Sequence, residues 1–172
     1  MDALEAIFKR RSVRRYVKKE IEDDKVEVLL KAAMYAPSAG NEQPWHFVVV
    51  KNRELLKKLA EAHPNGKMLN DAALAIVVCV DKKLSKYKVD MWVQDCSAST
   101  QNILLAATAL GIGSVWLGVY PVEKRIKDVS EILRIPEDIT PFSIVSLGYP
   151  ENEVFKELPE RFKKERIHFD GW

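Results

Sequence analysis

Apolar residues recur at helical spacing in five stretches of the chain and crowd into short continuous runs in four others. The first helical stretch is brief: Leu4, Ile7 and Phe8 fall at i, i+3 and i+4, with Asp2 ahead of them as a cap. In the second, Val26, Leu29, Leu30, Ala33 and Met34 repeat on one side. Asp24 and Glu27 there have the spacing of a capping box, and Pro37 forces a stop. A third helix is predicted over residues 53–62, ended by the breaker run His63-Pro64-Asn65-Gly66. The longest spans 89–110 and closes on Gly111, a residue suited to the left-handed position after a helix. A fifth covers 122–133, ahead of Pro136.

The four apolar runs, 45–50, 74–80, 114–120 and 142–147, are rich in β-branched and aromatic residues and read as strands. They are nearly continuous rather than alternating, so both faces of each are expected to be buried under helices. Strands that alternate with helices suggest parallel βαβ units, although the pattern fixes neither strand order nor direction. The long helix carries Trp92, Cys96, Ser99, Ile103, Leu104, Ala107 and Leu110 on one side. The small Ala98, Ala106 and Ala109 lie on the other, with little charge after Asp95. Apolar nearly all round, it is expected to be the domain's central helix or part of a dimer core. Residues 151–172 change character: they are charged, contain Pro159 and finish Ile167-His168-Phe169-Asp170-Gly171-Trp172. Such aromatic residues gain little in an isolated chain, whereas docking on a second chain would bury them. The alternative is a tail folded back on its own domain.

Composition narrows the picture. A chain of 172 residues, 47% hydrophobic and 30% charged, suits one soluble domain with a sizeable core and no internal repeat. Its 27 basic and 25 acidic residues leave a formal charge of only +2, which argues against a nucleic-acid partner. The longest apolar run, 72–80, is too short to span a bilayer, and the acidic start Met1-Asp2-Ala3-Leu4-Glu5 does not read as a signal peptide. Cys79 and Cys96 sit in apolar segments with no CxxC pair, so a reduced, cytoplasmic compartment is expected.

Three segments offer chemistry. Arg10-Arg11-Ser12-Val13-Arg14-Arg15 is the densest basic cluster, and guanidinium forks with a hydroxyl suit a phosphate. The same cluster could simply offset a helix dipole on a solvated face. The loop Ala36-Pro37-Ser38-Ala39-Gly40-Asn41-Glu42-Gln43-Pro44-Trp45 supplies amides, a hydroxyl and two carboxamides, which suit a planar heterocycle, but ordinary turns use the same residues. Trp116-Leu117-Gly118-Val119-Tyr120-Pro121 places a glycine within a strand, for a bulge or for close approach of a ligand. Gly111-Ile112-Gly113 precedes a strand and lacks a third glycine, the wrong order for a dinucleotide fingerprint. There is no P-loop, HExxH or GxSxG. His46, His63 and His168 are scattered and read as surface or capping residues rather than metal ligands. No nucleophile–base pair is readable, so any enzymatic chemistry would rest on a cofactor.

Taken in order, these segments resemble the nitroreductase family over nearly the whole chain. Residues 10–14 resemble its RRSxR element, and 36–45 its APSxxNxQPW loop. Gln94-Asp95 through Gln101-Asn102-Ile103-Leu104-Leu105-Ala106-Ala107, then Leu110-Gly111-Ile112-Gly113-Ser114, resemble its central helix and exit. Ser146-Leu147-Gly148-Tyr149-Pro150 resembles the strand before its carboxyl-terminal arm.

The resemblance implies an α+β nitroreductase-like fold, with a mixed central β-sheet flanked by helices. It also implies an intertwined homodimer with an exchanged C-terminal arm: residues 1–150 as the FMN-binding domain and 151–172 as the arm. Arg10, Arg11, Ser12 and Arg14 would lie at the phosphate and ribityl chain of FMN. Pro37, Ser38, Ala39 and Asn41, from the other subunit, would line the flavin. Leu117 and Gly118 would offer main-chain groups near the ring. Lys67 corresponds to a ring-contacting lysine of longer relatives, and Arg161, or else Lys163 or Lys164, would be a second phosphate contact. The implied activity is transfer of electrons from NADH or NADPH, through FMN, to a small-molecule acceptor such as a nitroaromatic or quinone, by ping-pong kinetics. Two further readings remain: a specialised flavin enzyme such as a dehalogenase or dehydrogenase, and a flavin carrier or sensor without turnover. The chain is short for the family, with only residues 81–89 before the central helix.

Overall fold

The computed structural model describes residues 1–156 and 158–172. Among them, five α-helices enclose a four-stranded sheet, in the chain order α1 (Ala3–Lys9), α2 (Asp23–Met34), β1 (Trp45–Val50), α3 (Arg53–Ala62), β2 (Leu74–Asp81), α4 (Trp92–Ala109), β3 (Gly113–Gly118), α5 (Glu123–Leu133) and β4 (Ile139–Gly148). Short 3-10 turns fall at Ala39–Asn41, Lys67–Asn70, Lys82–Leu84 and Lys164–Arg166.

The strands run β1-β2-β4-β3 across the sheet, and every neighbouring pair is antiparallel. This corrects the parallel βαβ arrangement that the alternation of strands and helices suggests. Helices cover both faces here, so antiparallel strands carry the same continuous apolar runs that a parallel sheet would. One parallel pairing remains among the described residues, the isolated bridge between Ser12 and Ser114 on the outer side of β3.

The alternation along β2 divides the core. Ala75, Val77 and Cys79 face Leu56, Leu59, Leu117, Val129 and Ile144, on the side covered by α3 and α5. Leu74, Ile76, Val78 and Val80 face Leu29, Ala33, Trp92, Ile103 and Val145, on the side covered by α2 and α4. The long helix α4 buries one face, from Trp92 through Cys96, Ser99, Ile103 and Ala107. Gly111, at φ +72, ends it in a Schellman motif. Ile112 N–H donates to Ala107 O at 2.8 Å and Gly111 N–H to Thr108 O at 3.0 Å.

Local signals held unevenly. Asp2 caps α1 by accepting from Glu5 N–H at 2.8 Å. The capping box at Asp24 and Glu27 does not form: α2 begins earlier, behind Glu22, with no side-chain cap. Asp23 and Asp24 lie in the first turn instead, where acidic groups favour the helix dipole without a direct bond. β4 extends back past Pro141, which the apolar run excluded. β3 pairs with β4 only as far as Gly118↔Ser143, so beyond that point Pro141 has no strand on its outer side to receive an N–H.

Two apolar surfaces stay open in the single chain. Leu4, Ile7 and Phe8 of α1 are exposed, with Phe8 at 66%, and Met34 and Tyr35 at the end of α2 are exposed as well. Every residue from 159 to 172 is exposed, including Phe169 at 85%. Residues 159–172 are therefore not folded back on their own domain, whereas Val154, earlier in the tail, packs on its core.

Candidate functional site

The basic segment 10–15 leaves α1 and lies along the outer edge of β3. Val13 N–H donates to Ser114 O at 2.9 Å, and Val17 N–H to Tyr149 O at 2.9 Å. Two facing glycines allow this. A Cβ on Gly113 would stand 2.7 Å from Val13 Cγ1, and one on Gly148 2.7 Å from the Tyr16 ring. Tyr16 pins the segment from beneath: its buried hydroxyl donates to Val13 O at 2.8 Å and shares a bond with Ser146 Oγ at 3.1 Å. Burial pushes that hydroxyl up to about 12, so it remains a donor across the working range.

Val13 and Tyr16 face inward, and Ser12, Arg14 and Arg15 face outward. The side chains of Arg10, Ser12, Arg14 and Arg15 make no hydrogen bond or ion pair with any described residue. Arg11 is spent differently: Nη2 donates to Lys156 O at 2.8 Å, and Nε is buried without an acceptor. It ties down the start of the tail, beside a cavity of about 170 Å³ between residues 11–15 and 151–154.

At the other end of β3, Leu117 turns its side chain into the core and Gly118 opens onto free space, with nothing within 4 Å of where a Cβ would stand. The Gly118 carbonyl already accepts two bonds, from His63 Nε2 at 2.9 Å and Arg125 Nη1 at 2.9 Å. The His63 bond docks the turn carrying Lys67, exposed at the start of its 3-10 segment, against this strand end. Ser12 and Gly118 are thus separated by four residues of β3, about 13 Å. Exposed guanidiniums and a hydroxyl lie at one end of this span, and an open main-chain face at the other.

The 36–45 loop lies elsewhere. Ser38 Oγ accepts from Gln43 N–H at 3.0 Å, Asn41 Oδ1 from Gln43 Nε2 at 2.8 Å, and Asp95 of α4 accepts from Ala39 N–H at 2.9 Å. Its exit, Trp45, pairs with Val80, whereas the row holding Ser114 runs through Leu147 to Leu74. Six residues along β2 and three strand spacings across separate the two clusters, about 20 Å by about 14 Å. One chain does not bring Arg10, Ser12 and Arg14 together with Pro37, Ser38, Ala39 and Asn41. Arg161, in the exposed tail, likewise meets none of them within its own chain.

Asp95, Glu42 and Arg125 also hold these segments in place, and none is among the candidates that the sequence offers. Arg125 left no signal beyond its place on a charged helix. Asp95 did leave one, as the last acidic residue before a long uncharged stretch of α4, flanked by the core residues Trp92 and Cys96.

A family model described as the nitroreductase family matches residues 7–64 and 62–149. A protein of Archaeoglobus fulgidus, provisionally named an NADH dehydrogenase/NAD(P)H nitroreductase, is 61% identical over 172 residues, covering 99% of each chain. A solved structure from Clostridium acetobutylicum, provisionally described as an NADH oxidase, superposes with a TM-score of 0.93 at 44% identity, over 97% of this chain and 99% of that one. An FMN-dependent nitroreductase of Clostridium difficile R20291 does so with a TM-score of 0.88 at 32% identity, over 98% of this chain and 99% of that one.

Proposed function

The chain belongs to the nitroreductase family, and from that premise we propose that it works as a homodimeric FMN-dependent oxidoreductase. It takes electrons from NADH or NADPH and passes them to a nitroaromatic, a quinone or a similar electron-poor small molecule. The observation that carries this reading is the unpaired cluster of Arg10, Ser12 and Arg14 at one end of β3, with open space at Gly118 at the other. Adjacent guanidiniums without a carboxylate repel one another, and a phosphate would relieve that repulsion with charge-assisted bonds.

FMN would be held at its phosphate by Arg10, Ser12 and Arg14, with Arg11 anchoring the tail alongside. Main chain at Leu117 and Gly118, together with Lys67, would lie toward the ring. Pro37, Ser38, Ala39 and Asn41 of the partner subunit would complete the pocket, and Arg161 of the partner subunit would reach the phosphate through an exchanged arm. Bound flavin would supply the redox chemistry, and a single site used in turn by donor and acceptor would give ping-pong kinetics. The residues of this chain bind, orient and exclude water. Residues 1–150 form the FMN-binding domain and 151–172 the arm in this reading. A cytoplasmic location is supported by the free, buried thiols of Cys79 and Cys96. No helix among the described residues is long and apolar enough to cross a membrane.

The test is optical. The purified protein is expected to be yellow, and NADH or NADPH to bleach it in stopped-flow mixing. A colourless protein that takes up no added FMN, or a flavin that neither nucleotide bleaches, overturns the reading. Arg14→Ala is expected to weaken FMN binding by about 1.5–3 kcal/mol, the range for a hydrogen bond to a charged group. Unchanged affinity in a fluorescence titration would return Arg14 to the solvated surface.

A further inference from the structure

Two carboxyl groups are buried beneath the 36–45 loop. Asp95 is 3% exposed and Glu42 is 7% exposed. Glu42 has donors of its own, the Lys86 N–H at 2.7 Å and the Ser85 hydroxyl at 3.3 Å. Asp95 Oδ1 accepts from Ala39 N–H, but Oδ2 is buried with no donor, and the carboxyl that Asp95 meets is that of Glu42. Neither makes an ion pair among the described residues, and the ammonium of Lys86 goes instead to Gly40 O at 2.8 Å, on the exposed side of the loop.

We propose that Asp95 and Glu42 are positioning residues that share one proton, Asp95 donating from Oδ2 to Glu42, and so fix the turn 38–43. The proton supplies the donor that Oδ2 lacks and removes the repulsion of two ionised carboxylates. Glu42 is the acceptor, because its carboxyl oxygens already take the Lys86 N–H and the Ser85 hydroxyl. The turn needs support from outside. Gly40, Asn41 and Gln43 all have left-handed backbones, at φ 53, 52 and 46, and two of these residues carry side chains that disfavour it. Asp95 grips Ala39 from α4, Glu42 grips residues 85–86, and Tyr87 sits where a Cβ on Gly40 would meet its hydroxyl at 2.9 Å. The role of this turn at the flavin rests on the function proposed above; the carboxyl pair does not.

Burial and the facing Glu42 push Asp95 up to about 6, while its bond from Ala39 opposes the rise. The raised value means that the protonated form predominates below about 6. Its contribution is complete in acid and is lost as pH rises through about 6. The other titratable groups around the pair are the Cys96 thiol on α4, held protonated by burial, and, at the turn itself, the Lys86 ammonium and the Tyr87 hydroxyl.

The experiment begins with flavin-free protein, measuring hydrogen exchange at the Ala39 amide and the carboxyl carbon-13 shift of Asp95 against pH. In the wild type, exchange at Ala39, corrected for its intrinsic rate, is expected to rise about tenfold or more between pH 5 and 7.5. Asp95→Asn, which donates to Glu42 at every pH, should stay protected throughout. Asp95→Ala should exchange rapidly throughout, with its folding checked by circular dichroism. An Asp95 carboxyl that titrates near its ordinary value, or Ala39 exchange identical in wild type and Asp95→Asn at every pH, overturns the proposal. FMN affinity is then expected to follow the same step in the wild type and not in Asp95→Asn. The phosphate of FMN also ionises near pH 6, but equally for both proteins, so it cancels in their ratio. A step at Ala39 in a protein that takes up no FMN upholds the carboxyl pair and refutes the flavin reading.

Discussion

Deleting residues 161–172 is expected to leave a well-folded but largely monomeric chain that no longer retains flavin. The tail contributes almost nothing to its own domain: residues 159–172 are exposed, and the aromatic contact recorded within them is His168 stacked on Trp172, at 4.6 Å. Removing them should therefore leave the unfolding of the remaining domain little changed. Across an interface the balance differs. Phe162, Ile167, Phe169 and Trp172 would each gain about 1.5–3 kcal/mol from full burial, and a symmetric pair has two such arms. Ordering two arms consumes much of that gain, yet the remainder is expected to weaken the dimer at least about a thousandfold when lost. Sedimentation equilibrium and the flavin-to-protein absorbance ratio measure both effects. A truncated chain that stays dimeric at the same concentration and keeps its flavin would refute the exchanged arm.

The second large effect lies inside the fold. Trp92→Ala is expected to destabilise the protein by about 3–5 kcal/mol, as for other deletions of a buried tryptophan. Trp92 is the first residue of α4, and Met91 ahead of it offers no side-chain cap. The helix start is held instead by packing: the Trp92 ring meets Tyr120 edge-on at 4.7 Å and Phe142 at 6.4 Å, and its Nε1 donates to Asp90 at 2.8 Å. One turn further on is Asp95, so a loosened start also frees the turn at Ala39. Against a total stability of about 5–15 kcal/mol the loss is severe. It is best read by urea denaturation of flavin-free protein at one fixed concentration, because association would shift the midpoint. A loss below about 1 kcal/mol would mean that Tyr120 and Phe142 repack around the void.

The sequence made the elements legible and left their mutual arrangement obscure. α3 and β1 fall where spacing and breakers put them, because Asn52, the 63–66 run and Pro44 act locally. Strand direction is set by what lies several elements away, and a strand buried on both faces carries no local record of it. The α2 cap failed because the helix begins behind Glu22, whose carboxylate accepts from the Tyr149 hydroxyl and pairs with Lys25 instead of capping. Among the candidate site residues, the Arg10–Arg14 cluster and the 36–45 loop stood out by composition. Their separation by the width and length of the sheet emerges only from register. The Asp95–Glu42 contact joins residues 53 positions apart, and no period or motif links them.

The twice-bonded carbonyl of Gly118 has a consequence for acid tolerance. His63 and Arg125 polarise one peptide group, whose other end, Val119 N–H, donates to Phe142 O at 3.1 Å; each bond in such a chain strengthens the next. The Nε2–H of His63 donates to Gly118 in either charge state, but Nδ1 accepts from Asn65 N–H at 3.1 Å only while the ring is neutral. Burial holds its pKa below the ordinary imidazole range, with the charge of Arg125 adding to that and the Gly118 bond opposing it. Its contribution is therefore present at neutral pH and lost as pH falls through the lowered value. Asp95 slopes the other way, losing its contribution as pH rises from the ordinary carboxylate range through about 6. The two slopes oppose one another in mild acid, so the stability of the domain is expected to change less with pH there than either joint alone would make it.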